Sequence, residues 1–195
     1  FYRKHFLHQY YACSERKLAR VTDIIVSVNE RDRRRLIELG ISPNKAVTVP
    51  NGIDLARYER PPDAAALRGD LGLDADRPLV MQVGRLSAQK DPLAFVEGAA
   101  QVLERCPDVQ FALIGGGPLE AVLAARIQDL GLGGRVHLLG WRDRAYRLLA
   151  AADLVTLTSR WEGMPYVLLE AMAWSRPIVA TAINGCPEIV ADGLT

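Results

Sequence analysis

The sequence predicts an α/β fold in which a parallel sheet carries helices on both faces, preceded by the end of another α/β unit. Three observations carry this. From position 79 onward, short apolar runs alternate with longer amphipathic stretches. Those short runs are continuously apolar, as strands buried on two faces are. Glycine or proline closes most of them. Parallel neighbours need a helical crossover between them, so this alternation builds a parallel sheet.

Composition fits such a fold. The chain has 195 residues, enough for one domain or one and a part. Apolar residues make up 49% and charged residues 24%, which excludes disordered, collagenous and low-complexity classes. Lys and Arg total 24 against 23 for Asp and Glu, and a net charge of +1 provides no overall attraction for nucleic acid. No apolar run reaches the ~18 residues of a membrane span, and no signal-peptide core is present. The first residue is Phe1 and the last five read as a turn, so a piece cut from a longer protein is expected.

In order along the chain, residues 1–20 have helical character. Ile24 to Val28 reads as a buried strand. Residues 30–39 read as a helix stopped by Gly40, and Ala46 to Val49 as a strand ended by Pro50-Asn51-Gly52. Residues 59–78, with Pro61-Pro62, Gly69, Gly72 and Pro78, read as a connection around one short helix. The division expected is 1–50 as the tail of a first domain, 51–77 as a connection and 78–195 as a second domain. Within the latter, strands are expected at 79–83, 111–114, 136–139, 154–157 and 178–180. Helices are expected at 92–105, with Leu93, Val96, Ala100 and Leu103 on one stripe, and at 119–130, with Leu119, Leu123, Ile127 and Leu130 on one side. Two more are expected, at 143–151 and 165–174.

Cys13, Cys106 and Cys186 are odd in number and widely spaced, which speaks against a disulfide framework or zinc site and for a reducing cytosol. His5 and His8 share a helical face but lack further ligands. Arg31 to Arg35 reads as the solvated face of a helix, the other reading being contact with an anionic membrane surface or a phosphate.

Parallel sheets bind ligands at the carboxyl ends of their strands, so chemistry belongs to the loops there. The loop after Val83 holds Gly84, for a tight turn, and the cations Arg85 and Lys90, a combination suited to a diphosphate. Gly115-Gly116-Gly117-Pro118 reads mainly as a strand-to-helix turn, since it is neither a dinucleotide fingerprint nor a Walker loop. The segment after Leu157 places Glu162 in a loop and Glu170 in the following helix. Val167 and Leu168 would offer free first-turn N–H groups to a phosphate.

Gly84-Arg85 with Lys90, and Glu162 and Glu170 within Glu-Gly-Met-Pro-Tyr-Val-Leu-Leu-Glu-Ala-Met-Ala, resemble the retaining GT-B glycosyltransferases of family 4 (glycosyl transferases group 1). Val49 to Asp54, Ala152-Asp153, Arg176 to Thr181 and Gly185-Cys186-Pro187-Glu188 extend the resemblance from about residue 15 to the end. It implies a Rossmann-like donor domain after the tail of a Rossmann-like acceptor domain. It also implies transfer of a sugar, with retention, from a UDP- or GDP-sugar to a saccharide or glycolipid acceptor in polysaccharide or glycolipid synthesis. No cofactor or metal is implied, and the expected location is the cytoplasm, with peripheral contact at the inner membrane face. By resemblance, Arg85 and Lys90 contact the donor diphosphate and Glu162 lies by the sugar hydroxyls; these three are the candidate catalytic residues. Gly84, Gly163, Met164, Pro165, Val167, Leu168 and Glu170 are candidate donor contacts, with Glu170 on the ribose. Gly140, Trp141 and Arg142 fall near the base. With most of an acceptor domain absent, this chain alone is expected to bind donor weakly without turnover. Competing readings are a glycosidase, which needs two carboxyls facing one point, an NAD enzyme, which lacks its fingerprint here, and a non-catalytic nucleotide-sugar-binding domain.

Overall fold

A computed structural model describes residues 14–193, which divide between Asn51 and Gly52 into two compact units. His5, His8 and Cys13 lie outside the described residues, as does the first part of the helix expected over 1–20. Its remainder is helical over 14–21 (α1).

In the first unit, β1 (Ile25–Ser27) pairs in parallel with β2 (Ala46–Thr48), Ile25 opposite Ala46. Between them runs α2 (Glu30–Glu38), whose N-cap Asn29 accepts the Asp32 N–H at 2.7 Å. The burial expected of β1 does not hold. Ile24 and Val26, on one face of the strand, are each 57% exposed, while Ser27 on the other face is buried. The basic run is laced by ion pairs, Arg33 to Glu30 at 3.0 Å and Arg35 to Glu38 at 3.5 Å. Arg33 also donates to the Ala46 carbonyl at 2.8 Å, tying α2 to β2.

The second unit opens with a 3-10 helix (Leu55–Tyr58) and α3 (Ala64–Asp70), capped by Asp63. Five parallel strands follow: β3 (Leu79–Val83), β4 (Gln110–Ile114), β5 (Val136–Leu138), β6 (Leu154–Leu157) and β7 (Ile178–Ala180). They line up as β5-β4-β3-β6-β7. All five residues of β4 are buried, and their alternation splits the core. Phe111 and Leu113 face α4 (Pro92–Leu103) and α5 (Glu120–Asp129), while Ala112 and Ile114 face α6 (Tyr166–Ala173) and a 3-10 helix (Ala145–Ala151). The helix expected at 143–151 is thus a 3-10 helix entered through Arg144 at φ 49°, a left-handed start. The α4 stripe is also rotated, so that Pro92, Phe95, Val96 and Ala99 are buried. Leu93, Ala100 and Leu103 pack only partly, because Phe95 takes the centre against Phe111, ring centroids 5.8 Å apart. A four-residue helix, α7 (Cys186–Ile189), had no counterpart in the periodicity.

Arg68 of α3, 8% exposed, fastens this helix to the amino ends of the strands. It donates to the Ala151 carbonyl, to those of Ala75 and Arg77, and to Asp153, whose carboxylate also accepts the Leu79 N–H at 2.7 Å.

Candidate donor site at the strand edge

In the order β5-β4-β3-β6-β7 the chain winds one way from β3 to β4 and the other way from β6 to β7. The crevice between the loops after β3 and β6 is therefore the topological switch point, where such sheets bind ligands. Residues 84–91 and 158–165 form those loops, and side chains stitch them together. Lys90 Nζ donates to Glu162 Oε1 at 2.6 Å, the two side chains 20% and 7% exposed. Arg160 Nε donates to Asp91 at 2.7 Å, and Gln89 Nε2 to the Trp161 carbonyl at 3.1 Å. The Thr158 hydroxyl lies 3.0 Å from buried Gln82 Oε1 and 2.9 Å from the Asp91 carbonyl. The Asp91 side chain caps no N–H of α4. The residue sits at φ 43°, a conformation unusual for a non-glycine residue, with its carboxylate turned to Arg160.

Beside this seam lies a cavity of about 380 Å³. Gly84, Arg85, Gly115, Gly116, Trp141 and Arg142 help line it, and among the described residues its charged lining side chains are the two arginines. Arg85 is exposed and lies 3.4 Å from Gln89 Oε1, and Trp141 is 74% exposed at the rim. Two guanidinium forks on one concave wall favour a phosphate-bearing ligand.

The glycines divide by function. A Cβ on Gly115 would stand 1.9 Å from the Gly84 carbonyl oxygen, and one on Gly117 2.4 Å from that of Leu86. These two let the β4 loop press against the β3 loop, where the Leu86 N–H donates to Gly116 at 3.0 Å. The tight turn expected of Gly84 is not its use: its φ lies outside the left-handed region, and a Cβ there would meet only the Lys90 stem at 3.7 Å. Gly140 does not line the cavity. It turns the chain at φ 67°, with its carbonyl taken by the Gly115 N–H at 2.9 Å.

Around α6 the expectations are met unevenly. The Leu168 N–H is not free, since it donates to the Pro165 carbonyl at 3.2 Å. Met164, Pro165, Val167 and Leu168 are buried, so only their backbones can face a ligand, and the Gly163 carbonyl accepts from Gly185 at 3.2 Å. Glu170 is half-buried, and burial holds its carboxyl above the usual carboxylate value. Tyr58 lies near it. Burial and then the Glu170 charge push the Tyr58 phenol up to about 12. Its ring meets Trp174 at 5.0 Å and Tyr146 at 5.5 Å, and Trp174 Nε1 donates to the Tyr146 carbonyl at 2.7 Å.

Sequence reading passed over Ser159, whose hydroxyl donates to Glu162 Oε1 at 2.6 Å. It also passed over Tyr58, Gln82 and Thr158. Only the register of β3 against β6, with Val80 opposite Leu154, brings Gln82 and Thr158 together. Among the described residues no group of three or more His, Cys, Asp or Glu side chains could hold a metal ion, and no helix is long and apolar enough to cross a membrane.

A parallel α/β unit with a cationic cavity at the carboxyl ends of its strands, beside its switch point, belongs to the class of nucleotide-phosphate-binding folds. The family model for glycosyl transferases group 1 matches residues 77–195, and that for glycosyltransferase family 4 matches residues 1–57. The chain belongs to the group 1 glycosyl transferases. The UDP-Gal:alpha-D-GlcNAc-diphosphoundecaprenol alpha-1,3-galactosyltransferase of Escherichia coli is 36% identical over 176 residues, covering 86% of this chain and 44% of that protein. The D-inositol 3-phosphate glycosyltransferase of Nocardia farcinica is 35% identical over 191 residues, covering 93% and 42%. The chain thus spans less than half the length of these curated relatives. The crystal structure of Anabaena HepE in complex with UDP and glucose superposes with a TM-score of 0.81 at 28% identity, covering 93% of this chain and 52% of that one.

Proposed function

We propose that the whole protein is a retaining glycosyltransferase that moves a sugar from a UDP- or GDP-sugar to a saccharide or glycolipid acceptor in polysaccharide or glycolipid synthesis. The observation that carries this is the two-arginine cavity set beside the Lys90–Glu162 contact at the switch point. Support comes from the HepE complex, which holds UDP and glucose on a similar fold. Residues 78–195 form the donor domain in this reading, and residues 1–50 the end of the acceptor domain.

Arg85 sits on the diphosphate, and Lys90 reaches it while paired with Glu162. As the bond from the anomeric carbon to the diphosphate oxygen breaks, negative charge grows on that oxygen. Fixed cations stabilise it more in the transition state than in the ground state. Glu162 takes sugar hydroxyls and Glu170 the ribose hydroxyls. Trp141 and Arg142 flank the base, and the backbone of Gly163 to Leu168 approaches the sugar and phosphates. The reaction needs the donor and the acceptor, without metal or cofactor. The protein works in the cytoplasm, touching the inner membrane face when its acceptor is a lipid.

Calorimetry with UDP and GDP tests the site. Arg85→Ala is expected to weaken the tighter nucleotide by about tenfold or more, the scale of a charge-assisted hydrogen bond. Its melting temperature should stay unchanged, since Arg85 is exposed. Unchanged nucleotide affinity would sink the assignment. A chelator should leave binding as it is. The 195-residue chain is expected to bind donor and transfer no sugar, and clear turnover in a transfer assay would refute the second half.

A further inference from the structure

We infer that Ser159 is a positioning residue that sets which oxygen of Glu162 meets the donor sugar; this rests on the placement of Glu162 beside the sugar. Both hydrogen bonds to Glu162 converge on one atom. Oε1 accepts from Lys90 Nζ and from Ser159 Oγ, each at 2.6 Å. Among the described residues Oε2 accepts from none, and it is not among the buried side-chain atoms without a partner, although Glu162 as a whole is only 9% exposed.

The terminal torsion of a glutamate is a broad, nearly two-fold rotor, and an ammonium on a four-carbon stem follows either oxygen. Lys90 alone therefore leaves the carboxylate free to turn. Ser159 does not follow it. The residue is 1% exposed, and its backbone carbonyl is held by the Thr181 hydroxyl at 2.7 Å. Its single proton reaches Glu162 from a fixed point three residues back. The two donors together hold Oε1 and leave Oε2 for a ligand; a carboxylate oxygen can only accept, so the group it selects is a sugar hydroxyl. Ser159 touches no substrate itself. Its effect belongs to the sugar and not to the nucleotide, whose contacts lie at Arg85, Arg142 and Glu170.

The test titrates UDP, UDP-glucose, UDP-galactose and UDP-N-acetylglucosamine into the 195-residue chain and into Ser159→Ala, with thermal melts of both. Wild type is expected to bind at least one UDP-sugar more tightly than UDP. Ser159→Ala should lose about five- to tenfold of that sugar-dependent gain, as for one hydrogen bond to a charged group, while UDP affinity and melting temperature hold. In a Glu162→Ala background the same substitution should change nothing further, because its effect runs through the carboxylate. A Ser159→Ala variant that keeps the full gain, that loses UDP and UDP-sugar affinity in step, or that acts equally without Glu162 overturns the inference. So does a wild type that gains nothing from any of the three sugars. If GDP binds and UDP does not, the same titrations run with GDP and GDP-sugars; a wild type that binds neither nucleotide is a different result, which removes the donor-site reading itself and the inference with it.

Discussion

At Glu170 folding and binding pull in opposite directions. Burial raises its carboxyl above 4.5, so the fold favours the protonated form. A raised acid contributes stability that is complete below its unfolded value and lost as pH rises through its folded one. At neutral pH the ionised group is therefore a cost, accepted in the proposed site because a carboxylate can take two ribose hydroxyls. Glu170→Gln is expected to melt higher than wild type at neutral pH, with the advantage fading as the pH falls toward 4.5, and to bind UDP more weakly. Melts across that range check the first part, and a lower melting temperature at neutral pH would refute it. At this scale the sequence reveals charged residues better than their helpers. Lys90 and Glu162 stand out as charges in loops at strand ends, and they meet although 72 positions apart. Ser159 and Tyr58 do not stand out, because a hydroxyl or an aromatic ring has many ordinary uses in a core. Their partners are fixed only by the packing of distant elements.

Among the elements, the glycine-bearing loops after β3 and β4 separate a folding requirement from a binding one. Gly115 at φ 143° lies against the Gly84 carbonyl, so Gly115→Ala must push two backbones apart as well as strain its own. It is expected to cost about 3 kcal/mol or more, from overpacking added to backbone strain, as read from denaturant unfolding. Gly84→Ala should leave stability within about 0.5 kcal/mol, because its Cβ would meet only flexible Lys90 methylenes at 3.7 Å. That methyl would enter the wall of the cavity, so UDP affinity should fall. Equal stability losses in the two variants would refute this division. Element type was legible where apolar runs were long and bounded, as at β3, β4 and α4. At 145–151 a helix forms as expected, but as 3-10 turns entered through left-handed Arg144, a detail that alanine and leucine, which suit an α-helix, do not show. The four residues of α7 are too few to show a period.

For the molecule as a whole, alternation announced a parallel sheet, but not its order. Nothing in the local sequence says that β6 lies beside β3 and not beside β5, and that choice creates the switch point. It follows the crossover through Ala145–Ala151, which packs on the face opposite α4 and α5. Every group assigned to the donor lies on one side of the division between Asn51 and Gly52. Tyr58, Trp174 and the Arg68 clamp lie on that side as well, so the second unit contains both its site and its own core. A piece spanning residues 52–195 is accordingly expected to melt cooperatively and to bind UDP within about twofold of the whole chain, a difference of under ~0.5 kcal/mol. Calorimetry on the two chains side by side decides. A folded 52–195 piece that fails to bind, while the longer chain binds, would show that residues before Gly52 complete the nucleotide site. The assignment of the diphosphate to Arg85 and Lys90 alone would then have to be widened.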